Sequence, residues 1–151
     1  MDLTIDLDND KQITIRSCLY IEYNNKVLVE MYKDNYGCLP GGRLKFAESS
    51  NETLIREIKE ELGLDLTKYN YTFGSIVESL IEDKFYIISY VYKLELNDIE
   101  LYNKFNNMHN LDTDDGIYVW INKDELYNNL IFCKNVNNSF KDKILFENIK
   151  R

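Results

Sequence analysis

At 151 residues the chain has the length of one ordinary domain, residues 1–151, and 44% hydrophobic with 29% charged residues is the balance of a globular protein, not a disordered one. Its 18 basic against 26 acidic residues leave a net charge of −8, which excludes the basic footprint of nonspecific nucleic-acid binding. A polyphosphate ligand would need metal ions to bridge it to so acidic a protein.

No run approaches the ~18 apolar residues that span a bilayer, and the Met1-Asp2-Leu3 start lacks a basic segment ahead of an apolar one. The expectation is a cytoplasmic protein with no membrane partner. Cys18, Cys38 and Cys133 stand far apart with no C-x-x-C pair, which reads as reduced structural thiols. His109 is the only histidine, so histidine triads and His-rich metal sites have little to draw on.

Leu3, Ile5 and Leu7 alternate ahead of Asp8-Asn9-Asp10, which predicts a short edge strand. Ile13 to Glu22 and Lys26 to Tyr32 read as two strands joined through Asn24-Asn25, a pair that tolerates the left-handed backbone of a tight hairpin. The stretch from Tyr36 to Gly42 holds the only proline, Pro40, and three of the six glycines. Ser49-x-x-Glu52 is a capping box; it opens a helix expected to run to about Leu62 and stop at Gly63. Tyr71 to Leu80 and Lys84 to Leu94 predict an antiparallel pair turning at Glu82-Asp83.

The polar segment Asn97 to Asp115 is expected to be ordered in part around Leu101 to Phe105. Ile117 to Ile121 predicts a strand carrying Trp120, and Asn122 to Leu126 a helix start. Apolar residues at 140, 144, 145 and 149 predict a last helix over Ser139 to Ile149. The order of elements points to an α/β fold with a mixed, largely antiparallel sheet between helices.

On the helix at 50–62, Leu54, Ile55, Ile58 and Leu62 share one face, while Glu57, Glu60 and Glu61 share a second at i, i+3 and i+4. Like charges at this spacing repel, by a few tenths of a kcal/mol per pair in water. The face is either solvated or a site for a divalent cation, whose hard oxygen ligands it supplies. Gly41-Gly42 lets backbone carbonyls approach the same place, and Glu48 sits where it can meet Arg56 and brace loop against helix.

Gly42, Glu48, Arg56, Glu57, Ile58, Glu60, Glu61, Gly63 and Leu64 fill every position of the Nudix box, G-x5-E-x7-R-E-U-x-E-E-x-G-U with U aliphatic, so the stretch resembles that family. From ordinary residue frequencies, a chance match has odds below about one in 10⁶. The resemblance implies an α/β/α sandwich and hydrolysis of a pyrophosphate link in a nucleoside triphosphate or other nucleoside diphosphate derivative by water, with Mg²⁺ or, in its place, Mn²⁺. It implies Glu60 and Glu61 as metal ligands aided by the Gly41 carbonyl, and Glu57 as a further ligand or the group that deprotonates water. Arg56 would hold Glu57 and Glu48, with Glu48 structural.

Arg43 and Lys45 are candidates for contacts to phosphate, and Tyr36, Phe46, Phe85 and Tyr86 for stacking on a base. Family members often draw a further carboxylate from outside the box, for which Glu78, Glu82, Asp83, Asp112, Asp114 and Asp115 are available, Glu78, Asp114 and Asp115 foremost. The loop Pro40 to Phe46 most resembles bacterial members grouped with oxidised-nucleotide pyrophosphatases. A noncatalytic nucleotide-binding or regulatory module is the rival reading, against which the complete set of box carboxylates speaks. The expected partner is a small-molecule nucleotide, and homodimer formation is left open.

Overall fold

Strand β2 (Gln12–Tyr23) is the spine of a mixed sheet, because its long alternating run can pair on both edges. In the computed structural model, which describes residues 1–136 and 143–150, β2 runs parallel to β7 (Phe85–Glu95) along nearly its whole length. On its other edge β2 pairs antiparallel with β1 (Thr4–Asp6), β5 (Gly41–Arg43) and the start of β3 (Lys26–Tyr32). β3 continues between β4 (Gly37–Cys38) and β8 (Gly116–Asn122), and β6 (Thr72–Ile81) joins β7 to β9 (Ile144–Ile149).

Both hairpins turn on residues with positive φ, Asn24 and Asn25 at 45° and 63°, Glu82 and Asp83 at 54° and 53°. Two successive left-handed residues match the twist of the flanking strands, which is why two polar residues suffice at each turn.

Helix α1 (Ser50–Leu62) begins with the expected reciprocal cap. The Ser49 hydroxyl accepts from the Glu52 amide at 3.0 Å, and the Glu52 carboxylate accepts from the Ser49 amide at 3.2 Å. It ends at Gly63, whose φ of 70° suits a residue without Cβ. Leu54, Ile58 and Leu62 are fully buried against Leu19, Ile21, Leu28 and Tyr118 of the sheet. Each such side chain contributes about 1.5–3 kcal/mol relative to exposure.

The opposite face buries Cys18, Tyr20, Val27, Val29, Val77 and Val91 under Leu126, Leu130 and Val136. Leu126 belongs to the short α3 (Leu126–Asn129); α2 (Ile99–Phe105), capped by Asp98, lies ahead of β8. No helix among the described residues is long and apolar enough to cross a membrane.

The helix expected over 139–149 is corrected in its described part: Ile144–Ile149 is a strand, parallel to β6. Leu145 and Ile149 lie four apart, an interval that puts two side chains on one face of a strand as well as of a helix. Both pack against the core cluster of Cys18 and Val91. Residues 139–142 lie outside the described residues.

Candidate functional site

The loop between β5 and α1 is bound to the helix through Arg56. Its Nε donates to Glu48 Oε2 at 2.8 Å and its NH2 to Glu48 Oε1 at 2.9 Å, a two-point pairing that fixes the guanidinium plane. NH1 donates to Glu57 at 2.8 Å and to Glu60 at 3.4 Å, and NH2 reaches the Arg43 carbonyl at 3.2 Å. Glu48 also accepts from the Thr53 hydroxyl at 2.6 Å and the Lys45 amide at 3.1 Å.

Arg56, first of these partners, holds the Glu48 carboxyl down at about 2. The depressed value means stability that is full above the unfolded carboxylate value near 4.5 and lost as pH falls through 2. Glu48→Gln is therefore expected to lower the melting temperature at pH 7 by several degrees and to flatten the stability loss between pH 4.5 and 2, read by thermal melts across that range. An unchanged acid limb would remove Glu48 from this role.

Glu57 is pressed against the loop. A Cβ at Gly42 would lie 2.3 Å from its carboxylate carbon, so only glycine leaves the acid its place. Gly41 is equally constrained: at φ 152° its missing Cβ would meet the Ser17 carbonyl oxygen at 2.1 Å. The two glycines thus bring a bare strand edge up to the acidic face of α1.

Glu61 lies deeper, 5% exposed, beside the equally buried Glu30 of β3. Asn110 spans the two acids, its amide donating to Glu30 Oε2 at 2.8 Å and Glu61 Oε2 at 2.7 Å. The Asn110 carbonyl accepts from the Asp112 and Thr113 amides at 2.8 and 3.2 Å, so the turn orients the amide. Tyr118 donates to Glu61 at 3.3 Å and Tyr32 to Glu30 at 2.9 Å. Glu61 Oε1 is buried without a hydrogen-bond partner. Burial, then the charges of Glu30 and Glu57, push the Glu61 carboxyl up to about 8.

Beside the loop, where β3 parts from β2, lies a cavity of about 410 Å³. Arg16 and Arg43, partners in the β2–β5 register, both line it, with Tyr36, Cys38, Phe85 and Phe132 among its walls. Glu147 of β9 anchors the loop over it, accepting from the Ser79 hydroxyl at 2.8 Å and the Cys133 and Lys134 amides at 2.6 and 2.9 Å.

The family model for the NUDIX domain matches residues 14–133. The chain belongs to the Nudix family. It is 35% identical over 103 residues to the mRNA-decapping protein D10 of Fowlpox virus, covering 61% of this chain and 44% of that protein. It is 36% identical over 80 residues to the ADP-ribose pyrophosphatase of Methanocaldococcus jannaschii, covering 50% of this chain and 47% of that protein. The Nudix chain thus spans about half the length of these curated relatives.

Among solved structures it shares its fold with the MutT protein of Bacillus halodurans, at TM-score 0.63 and 19% identity over 91% of this chain and 89% of that one. The MutT NUDIX hydrolase of Burkholderia pseudomallei gives 0.64 and 20% over 84% and 96%. The α/β/α sandwich follows from this likeness.

Within that fold the box residues Arg56, Glu57, Glu60 and Glu61 stand on one helix, and Tyr36, Arg43 and Phe85 at the adjoining cavity. Phe46 is 74% exposed, and Lys45 is exposed with its amide on Glu48. Tyr86 and Glu78 hydrogen-bond to each other on the sheet face opposite Phe85 and Ile87, away from the cavity. Asp114 and Asp115 are exposed in the turn before β8.

The groups around Glu61 are Glu30, Asn110 and Tyr118, and the cation that lines the cavity from β2 is Arg16. Glu30 and Arg16 had a sequence signal, a charge at an inward position of an alternating strand, Glu30 on the face of Leu28 and Arg16 on that of Cys18. Asn110 had none.

Proposed function

We propose that residues 1–151 act as one Nudix domain that hydrolyses a pyrophosphate link in a nucleoside diphosphate derivative, with Mg²⁺ as the natural cation and Mn²⁺ as a substitute. The observation that carries the reading is the pairing of Glu57, seated on the glycine edge, with the buried, unpartnered Oε1 of Glu61 on the same helix.

An orphaned buried carboxylate oxygen suits a hard cation, as does the all-oxygen donor set of Glu60, Glu61 and the Gly41 carbonyl. Among the described residues no three acidic, histidine or cysteine side chains already converge as a metal cage. Mg²⁺ is held by one or two carboxylates with water and substrate phosphate supplying the rest. When bound, the cation neutralises pyrophosphate charge and acidifies water.

The chain's own residues supply the remainder. Glu57 Oε1 is held by Arg56, which leaves Oε2 to take the proton of the attacking water as its oxygen bonds to phosphorus and the bridging P–O bond breaks. Arg43 stands between box and cavity and would meet the phosphate chain, while the cavity would take the group beyond it.

The two curated relatives, an ADP-ribose pyrophosphatase and an mRNA-decapping protein, support both a small pyrophosphate substrate and one at an RNA end. The net charge of −8 argues for the small one. The test is a panel of canonical and oxidised nucleoside triphosphates, ADP-ribose, dinucleoside polyphosphates, sugar nucleotides and capped RNA, with products identified by mass spectrometry. Turnover should need Mg²⁺ or Mn²⁺ and stop in excess chelator. Tight nucleotide binding with no turnover across the panel would replace catalysis by the binding-module reading.

A further inference from the structure

Arg16 and Arg43 are Cα partners in the β2–β5 register, so their two backbones lie about 4.5–5.5 Å apart and both side chains line the cavity of about 410 Å³. Among the described residues neither guanidinium makes an ion pair. Arg56, whose NH2 meets the Arg43 carbonyl, is by contrast surrounded by Glu48, Glu57 and Glu60. Arg43 is exposed, while Arg16 is half-buried with its Nε enclosed and without a hydrogen-bond partner. Two like charges at this spacing repel, and an enclosed donor without an acceptor adds to the cost. A chain with 26 acidic residues has placed none of them against this pair, which leaves the counterion to the ligand.

The rest of the lining adds donors to the pair. Gln12, Thr14 and Arg16 alternate along one face of β2, and Tyr36 brings a further hydroxyl, its ring stacked on Tyr32 with centroids 5.3 Å apart. The Arg16 guanidinium lies over the Phe132 ring, its central carbon 5.3 Å from the ring centroid, so its face is held and its donors act at the edge as a fork. The one acid among the described lining residues, Glu82, is exposed in the β6–β7 turn. A terminal phosphate, with three outer oxygens and close to two negative charges, matches two guanidiniums in donors and in charge.

Resting on the proposed reaction, we propose that Arg16 and Arg43 form an anion subsite, and that the substrate carries a third phosphate besides the two joined by the link that is cut. That phosphate is either the next in line on the polyphosphate chain or a monoester on the ribose. Arg43 ties the subsite to the box, since its backbone is bound by Arg56 while its side chain reaches the cavity.

The experiment is calorimetric binding, in Mg²⁺, of adenosine diphosphate, adenosine triphosphate and adenosine 3′-phosphate 5′-diphosphate, each with methylene groups in place of the bridging oxygens. At least one of the two analogues with a third phosphate should bind about 10- to 100-fold tighter than the diphosphate, as hydrogen bonds to a charged group allow. A gain in the triphosphate assigns the subsite to the chain, and a gain in the 3′-phosphate assigns it to the sugar. In Arg16→Gln and in Arg43→Gln the gain should fall to within about threefold. Circular dichroism and thermal melts show which variant is folded, and exposed Arg43 carries the test where Arg16→Gln is not.

No gain from either third phosphate in the unaltered protein would overturn the subsite. So would a gain that survives in a folded variant, because it would then belong to the cation and not to the arginines. The analogues are inert, so a gain beside absent turnover of natural nucleotides would overturn the reaction and leave the subsite standing. Turnover without the gain would do the reverse.

Discussion

Glu57→Gln is expected to lower kcat by about 10³-fold while leaving the melting temperature within a few degrees of the parent. The replacement keeps the shape that fits over Gly42, and its amide oxygen can still accept from Arg56 NH1, which now bonds Glu57 Oε1 at 2.8 Å. It removes the negative oxygen able to take a proton from water and weakens one ion pair of Arg56, whose two-point pairing with Glu48 remains. Gly42→Ala should reach the same end by another route, because its new Cβ would lie 2.3 Å from the Glu57 carboxylate carbon and push an unaltered acid out of place. Steady-state kinetics beside thermal melts distinguish this from misfolding. Activity in Glu57→Gln within tenfold of the parent would take Glu57 out of the chemistry.

The box could be read in advance because its contacts are local in sequence. Arg56 meets residues within 13 positions of itself, and the cap at Ser49 and the stop at Gly63 are written into α1's own ends. The hairpins at Asn24-Asn25 and Glu82-Asp83 are local in the same way. The groups around Glu61 are not: Asn110 reaches Glu61 across 49 positions and reaches Glu30 across 80. A lone Asn in a polar turn reads as a turn former until a long-range contact gives its amide two carboxylates. β9 failed for a related reason, since its partner is a parallel strand brought to it only by the finished sheet. Among the residues singled out for stacking, strand alternation separates Phe85, at the cavity, from Tyr86 on the other face.

Without metal the protein should lose stability as pH rises from about 5 to 8, opposite to the limb set by Glu48 at low pH. Glu61 is the cause. Its carboxyl is pushed up to about 8 in the fold against an unfolded value near 4.5, so across that window the native state keeps a proton the unfolded chain has released. The stabilisation is full below 4.5 and is lost as pH passes through 8, with a slope of at most about 1.4 kcal/mol per pH unit. Melts in chelator should show the fall, and Glu61→Gln should flatten it because nothing titrates there. Glu30→Gln should reduce it, since the Glu30 charge is the largest contribution after burial. Saturating Mg²⁺ should raise the melting temperature most at the alkaline end, because the cation favours the carboxylate that burial disfavours. Stability in chelator that is flat or rising between pH 5 and 8, with no larger Mg²⁺ effect at pH 8 than at pH 5, would mean that the buried acid is not where the cation acts.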